Sequence, residues 1–440
     1  MSRSLALSIL FAALGRALAV ESSTPAFQPI PPARLWERFE ATAPPFTYTV
    51  VKDEAIASSE DPSRRLRRVE LLFSTQEVFG ETLRSRAELF IPIDDPRMTD
   101  PARRGRVAIV GGFGGPFWNN FVYNFAHPIA TRTGYPTMIL ECPGHTDSQP
   151  DREWDIRPML ARVIETNDPF DHHFFRLGIV FVRAMEVCAA VLEVPTAEIR
   201  AVIGGHSKRA TAAYTAAAIR PENVAGIVYM GNESVFDRRI GTPLESTSPY
   251  FTQRFVRCPV IFLGATNESG YRRFNINRIQ SHMDPPWTIA MIPNYRHDTD
   301  DEKHFVNWPM WVSHCLDGRP VTRIVSATYE TQERGTRFYA RLDTPNTVVM
   351  VKLWTTYNDD PPYWRDLMWF PVPMFPREDG CYEAWWSGKP PDAWLIEVED
   401  VANGFRGYVT TLPVNHTGGP SETPPDRYGM PRLWEPPPAR

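Results

Sequence analysis

The first regular pattern in the chain is a pair of apolar runs, Val69–Ser74 (VELLFS) and Ser85–Ile93 (SRAELFIPI). The second alternates in part and carries Pro92 near its end, and both read as strands. Residues 24–45 before them are proline-rich and aperiodic, a lead-in with no predicted element. After a loop at residues 94–105 the pattern changes. Short, continuous apolar runs stand at Arg106–Val110, Thr137–Leu140, Ile199–Ile203, Ala225–Met230, Pro259–Leu263 and Thr288–Ile292, separated by longer stretches. Strands that are apolar throughout are covered on both faces, as parallel strands flanked by helices are. Phe174–Leu192, within one of the separating stretches, has the spacing of a buried helix. The pattern predicts an α/β fold around a mostly parallel central sheet.

Near residue 320 the period switches. TRIVSATYE, TRFYARL and TVVMVKLW alternate as strands do, and aromatic, proline-punctuated strands continue to about Leu412 without a helical period. The predicted organisation is an α/β unit over 20–320 and a C-terminal all-β, sandwich-like domain over 321–412. Residues 413–440, with TGGPSETPPD and PPP, read as a flexible tail. No internal repeat is present.

The N-terminus changes the picture of where the protein works. Arg3 precedes an apolar run, Leu5–Leu14, too short to span a bilayer, and Ala17-Leu18-Ala19 follows as a small-x-small cleavage signature. Residues 1–19 therefore read as a secretory signal peptide, and the mature chain is expected to be secreted, extracellular or periplasmic, with no membrane association. Net charge is −5, which leaves no basic stripe for nucleic acid. Five scattered cysteines form neither a disulfide scaffold nor a metal knuckle, although one or two bridges remain open. No cofactor or metal is predicted.

The candidate chemistry starts at Ile199-Arg-Ala-Val-Ile-Gly-Gly-His-Ser-Lys-Arg-Ala210. A β-branched strand runs through Gly204-Gly205-His206-Ser207 into an alanine-rich helix, the strand–turn–helix context of a nucleophile elbow. Small residues are needed there because the turn is tight and the helix comes close to the strand. The motif departs from G-x-S-x-G at Arg209, and the plain alternative for Ser207 is a helix N-cap. Residues at the other strand ends favour the elbow. His297 lies just past the last apolar strand, in MIPNYRH, where the base of a Ser–acid–His order belongs, with His304 its nearest rival. The run Gly111-Gly-Phe113-Gly-Gly after the first buried strand resembles loops that offer oxyanion N–H groups, so Phe113 and Lys208 are the expected donors. The run lacks both the P-loop ending and the G-x-G-x-x-G spacing of a nucleotide site. The acid expected after the Pro259–Leu263 strand meets Asn267, with Glu268 beside it. Glu268 is favoured as the acid, over Glu233 at the preceding strand end. Asn232-Glu-Ser234 and Asn267-Glu-Ser269 also match glycosylation sequons, read as chance because glycans there would crowd the pocket.

The S-K-R element, the strand-end GGFGG, the GATNE loop and the IPNYRH segment resemble PhoPQ-activated pathogenicity-related proteins. So do Val182-Arg-Ala-Met185, Ser74-Thr-Gln76 and Val351-Lys-Leu-Trp354. The resemblance covers roughly residues 40 to 410. It implies an α/β-hydrolase in which Ser207 and His297 match nucleophile and base. The family's usual G-A-N-D-E puts aspartate where this chain has Asn267, with Glu268 matching the following glutamate. Ala210 replaces the glycine that usually follows S-K-R.

Together these features predict a secreted serine hydrolase that cleaves a carboxylic ester, with amide the lesser alternative. Its substrate class would be a small-molecule, carbohydrate-ester or peptide substrate. The rival is a non-catalytic binding protein on a degenerate hydrolase scaffold, using aromatic pairs such as Tyr363-Trp364 or Trp385-Trp386. The plainer expectation for those pairs is sandwich core. The Asp151–His173 segment is a candidate lid over the pocket.

Overall fold

Nine strands make the central sheet: β1 (Tyr48–Ala57), β2 (Arg65–Val78), β3 (Glu81–Ile93), β4 (Arg106–Gly112), β5 (Thr137–Glu141), β6 (Arg200–His206), β7 (Val224–Met230), β8 (Val260–Ala265) and β9 (Trp287–Ile292). The computed structural model describes residues 27–93, 95–112, 114–142, 157–231, 241–267, 287–357 and 367–415. Phe113, Glu268, Glu233, Tyr363-Trp364, the predicted signal peptide and nearly all of the predicted tail lie outside the described residues.

The sheet order is β1-β2-β3-β5-β4-β6-β7-β8-β9. Strands β1, β2, β3 and β5 pair antiparallel, and every pair from β5 to β9 is parallel. The six continuous apolar runs are the strands β4 to β9. Alternation within each run feeds two layers: Val107 and Ile109 face one core, Ala108 and Val110 the other. The first layer holds helices α1 (Pro32–Glu40), α4 (His173–Val191) and α5 (Lys208–Ile219). The second holds α2 (His127–Thr133) and α6 (Glu302–Asp317). Between α2 and α4 in the chain lies α3 (Arg157–Thr166), inside the candidate lid segment. Each fully buried Val or Ile contributes about 1.5–3 kcal/mol, so two covered faces explain the scarcity of polar positions in these strands.

Two elements escape the sequence pattern. Helix α1 occupies the lead-in that had no predicted element, with Leu35, Trp36 and Phe39 buried. Pro31 stands at its N-cap and Pro32 at its first position, where a missing N–H costs nothing, so its prolines start the helix rather than prevent it. Strand β1 is the sheet edge and is exposed along most of its length, so no buried alternation marks it. Strands β2 and β3 run well beyond the predicted cores, to 14 and 13 residues.

Past α6 the chain forms two antiparallel sheets. One holds β10 (Arg323–Gln332), β11 (Gly335–Asp343), β15 (Cys381–Ser387) and β14 (Phe375–Pro376). The other holds β13 (Phe370–Pro373), β12 (Thr347–Thr356), β16 (Ala393–Ala402) and β17 (Phe405–Thr410), with β18 (Val414–Asn415) on β16. Phe338, Ala340, Leu353, Ala384, Trp394 and Ile396 fill the space between them. Trp386 packs partly against this core, but Trp385 is exposed on the opposite face, so the aromatic pair is only half core.

These sheets are fastened to the α/β unit beside β9 and α6. The Met291 N–H donates to Thr410 Oγ1 (2.9 Å), and the Tyr408 N–H donates to Asn307 Oδ1 (2.8 Å). Asp400 accepts from Arg319, Thr322 and Asn346 within the buried junction. All five cysteines are free. Among the described residues, no helix is long and apolar enough to cross a membrane.

One buried histidine in this frame makes stability depend on pH. His127 opens α2, with Nδ1 accepting from the Ser59 N–H (2.8 Å), and burial pushes its pKa down to about 4. Between pH 4 and 6.5 the unfolded chain binds a proton here that the native chain does not. Stability from His127 is therefore complete above pH 6.5 and is lost as pH falls toward 4. Replacing it by phenylalanine is expected to flatten the acid side of the stability curve by about 1.4 kcal/mol per pH unit. Thermal melts of both proteins from pH 4.5 to 7 check this, and parallel curves would refute it.

Candidate active site

β6 ends in Gly204-Gly205-His206, α5 begins at Lys208, and Ser207 forms the turn between them. Its backbone sits at φ 60°, ψ −128°, a region that costs a non-glycine residue about 1–3 kcal/mol. The turn is held from both sides. The Ser207 N–H donates to Met230 O (2.8 Å), and the Ser207 carbonyl accepts from the Ala210 N–H (2.9 Å). Although Ser207 occupies the N-cap position of α5, its side chain makes no cap hydrogen bond. The plain N-cap role is therefore not the one in use. Tight packing makes the turn sharp: a Cβ on Gly205 would stand 2.8 Å from Arg209 Cβ and 2.9 Å from Gly111 O. Ser207 is left half-buried at the carboxyl edge of the sheet, against the first turn of α5. The N–H groups of such a turn lack intrahelical partners and favour negative charge. Lys208, predicted to offer one of them, is the first residue of that turn.

Arg209 explains the departure from G-x-S-x-G. Its buried guanidinium donates from Nε to Cys142 O (2.6 Å) and Gly112 O (3.2 Å). The side chain thereby ties the ends of β4 and β5 to the first turn of α5. It fixes the root of the glycine loop, from which Phe113 departs.

His297 lies on the loop after β9, and that loop is clamped from several directions. Asn294, itself at φ 60°, donates from Nδ2 to Trp369 O (2.8 Å) and accepts from the Trp369 N–H (2.7 Å). The Asn267 N–H donates to Tyr295 O (2.9 Å), and Tyr295 Oη donates to Asp300 (2.8 Å). The His297 ring ends 4.2 Å from the His206 ring, centroid to centroid. Gly231, the first residue after β7, lies beside both. A methyl there would stand 3.1 Å from His206 Nε2 and 3.3 Å from His297 Nδ1. The structure thus brings the ends of β6, β7 and β9 together around Ser207, His206, Gly231 and His297.

The rival base behaves differently. His304 is enclosed in the first turn of α6, and burial drives its pKa down to about 3, against a weaker opposing pull from Asp300. A ring held neutral and out of solvent is unsuited to collect a proton. Among the described residues, no three His, Cys, Asp or Glu side chains converge on a metal position.

Asn267 is turned toward the C-terminal sheets. Its Nδ2 donates to Leu367 O (2.6 Å), and its Oδ1 accepts from Thr266 Oγ1 (2.6 Å). At 7% exposure it is also a poor glycan acceptor. Asn267→Asp, which restores the residue ordinary at this strand end, would set an anion against the Leu367 carbonyl. We expect it to lower stability by about 1–3 kcal/mol without raising activity. Chemical denaturation measures the first, and a gain in turnover would contradict the second.

Three participants escaped the sequence reading. His206 was hidden inside the GGHS turn, where only the serine draws notice. Gly231 ends a strand as many glycines do. Asn294 stands in the IPNYRH segment, but its partner Trp369 is 75 residues away.

No protein-family model and no curated protein matches the chain. Among solved structures, it is similar to acetyl xylan esterase 1 from a Thermoanaerobacterium species, at 12% identity and a TM-score of 0.45, covering 66% of this chain and 95% of that one. An acetyl xylan esterase from a Paenibacillus species is similar at 12% identity and a TM-score of 0.43, over 60% and 89% of the two chains. Candida antarctica lipase A in its closed state is similar at 12% identity and a TM-score of 0.39, over 61% and 82%. With each score below 0.5, these stand as likenesses alone.

Proposed function

We propose that this chain is a secreted serine hydrolase of the α/β-hydrolase fold that cleaves a carboxylic ester, related to the PhoPQ-activated pathogenicity-related proteins. In this reading residues 20–320 form the catalytic unit and 321–412 a β-sandwich-like domain, behind a signal peptide at 1–19. Ser207 attacks the carbonyl carbon while His297 takes its proton. Glu268 orients the imidazole, and the Phe113 and Lys208 N–H groups receive the oxyanion. Collapse of the tetrahedral intermediate expels the alcohol, which takes the proton from His297. Water then repeats the sequence on the acyl-enzyme and releases the acid.

The observation that carries this reading is the backbone of Ser207. A serine held at positive φ between a buried strand and a helix, with its side chain unused as a cap, is the arrangement that presents a nucleophile. Purified protein is expected to hydrolyse p-nitrophenyl acetate and to be labelled by a fluorophosphonate probe. Turnover no higher than that of a Ser207→Ala control would favour the binding-protein reading, which the committed amide of Asn267 also suits.

A further inference from the structure

We propose that His206 is a positioning residue for His297: its buried imidazole is the surface on which the His297 ring is seated, and Gly231 is the gap that admits both rings. The inference rests on the reading of His297 as the base.

His297 stands on an irregular loop and is itself exposed. An imidazole on such a loop has many orientations available, and a base that must meet both a hydroxyl and an acid can use few of them. The clamps at Asn294 and Tyr295 fix the backbone of the loop. The ring itself lies against His206, which is 4% exposed and stands at the last position of β6. Two residues earlier, a Cβ on Gly204 would meet Trp308 of α6, so by strand alternation His206 is directed to the α6 side of the sheet. That is the side on which the base loop passes into α6. One residue, fixed by the strand that also carries the nucleophile, therefore locates the base relative to the serine. Gly231 makes the fit: with φ +62° and no side chain, it leaves room for both rings at the end of β7.

The seat is also electrically quiet. Burial holds the His206 pKa well below the usual imidazole value, and His297, His304 and Arg209 around it push in the same direction. His206 thus stays neutral while its neighbour gains a proton. A cation at 206 would oppose that gain at close range.

The test compares His206→Ala, which empties the seat, with His206→Phe, which keeps a flat ring but no nitrogen. Both are assayed for p-nitrophenyl acetate kinetics from pH 5 to 9, fluorophosphonate labelling rate and thermal melting. The alanine variant is expected to lose kcat on the order of 10²-fold, the scale of a 1 Å misplacement, with KM nearly unchanged. The phenylalanine variant should recover most of the loss and keep the wild-type pH profile. Should the alanine variant not fold, Gly231→Ala makes the same test by crowding the seat, and it should lower kcat comparably. Wild-type labelling combined with an equal rate in His206→Ala, or full activity in Gly231→Ala, overturns the inference and leaves Ser207 in place. A phenylalanine variant as slow as the alanine one also overturns it, because the nitrogens rather than the ring surface would then matter. Absence of labelling in the wild type instead removes the reading on which it rests.

Discussion

Ser207→Ala is expected to abolish hydrolysis and fluorophosphonate labelling together, with kcat reduced on the order of 10⁵- to 10⁶-fold. The size comes from the chemistry, since without the hydroxyl no acyl-enzyme forms and the base has nothing to activate. Whatever turnover remains comes from the oxyanion donors and binding alone. The substitution is conservative for the fold. Alanine keeps the Cβ, and the Ser207 side chain makes no cap bond that α5 would lose. Melting should therefore stay close to wild type. Ser207→Gly separates strain from chemistry at the same position. Glycine tolerates φ 60° freely, so this variant should be as inactive as the alanine one yet more stable, by about 1–3 kcal/mol. Labelling that survives either substitution would move the nucleophile elsewhere. A glycine variant no more stable than alanine would show that the turn stores no strain.

The sheet was legible because burial on both faces leaves an unmistakable trace: runs such as Val107–Val110 and Ala201–Ile203 contain no polar position. The turn at Ser207 was legible for a related reason, since the close approach of strand and helix leaves no room for a Cβ at Gly204 or Gly205. Elements whose stability comes from distant partners were not. Strand β1 is paired by β2 yet faces solvent, so its sequence carries no alternation. Helix α1 contributes only a few apolar residues and is introduced by prolines that suggested a loop. The same holds at the site. The reach of the Arg209 guanidinium to Gly112 and Cys142, and the exchange between Asn294 and Trp369, join residues far apart in sequence. Local spacing contains nothing of them. Asn267 shows the effect most sharply. In sequence it is a missing acid, whereas in the structure it is an amide whose donor and acceptor are both in use.

Glu268→Gln is expected to lower kcat by about 10³- to 10⁴-fold with little change in KM, while Glu233→Gln changes it far less. Asn267 is the last described residue after β8, and its N–H is bonded to Tyr295 O, two residues before His297. Residue 268 follows in the chain a point already paired with the base loop, and in the proposed reading the longer glutamate would make up for its displacement by one position. Glutamine keeps the size and can still accept a hydrogen bond, so the loss isolates charge and tautomer. Without an anion at Nδ1, the proton is no longer held there, and the imidazolium formed on attack is unsupported. In that reading the acid acts on the imidazole and not on the substrate, so the deficit is expected in kcat. Glu233 stands two residues after Gly231, and Gly231 lies beside His297 Nδ1. It is thus the acid if the ranking of the two variants reverses. Equal activity in both, with Ser207→Ala still inactive, would mean that the His206 seat and the clamped loop orient His297 without an acid.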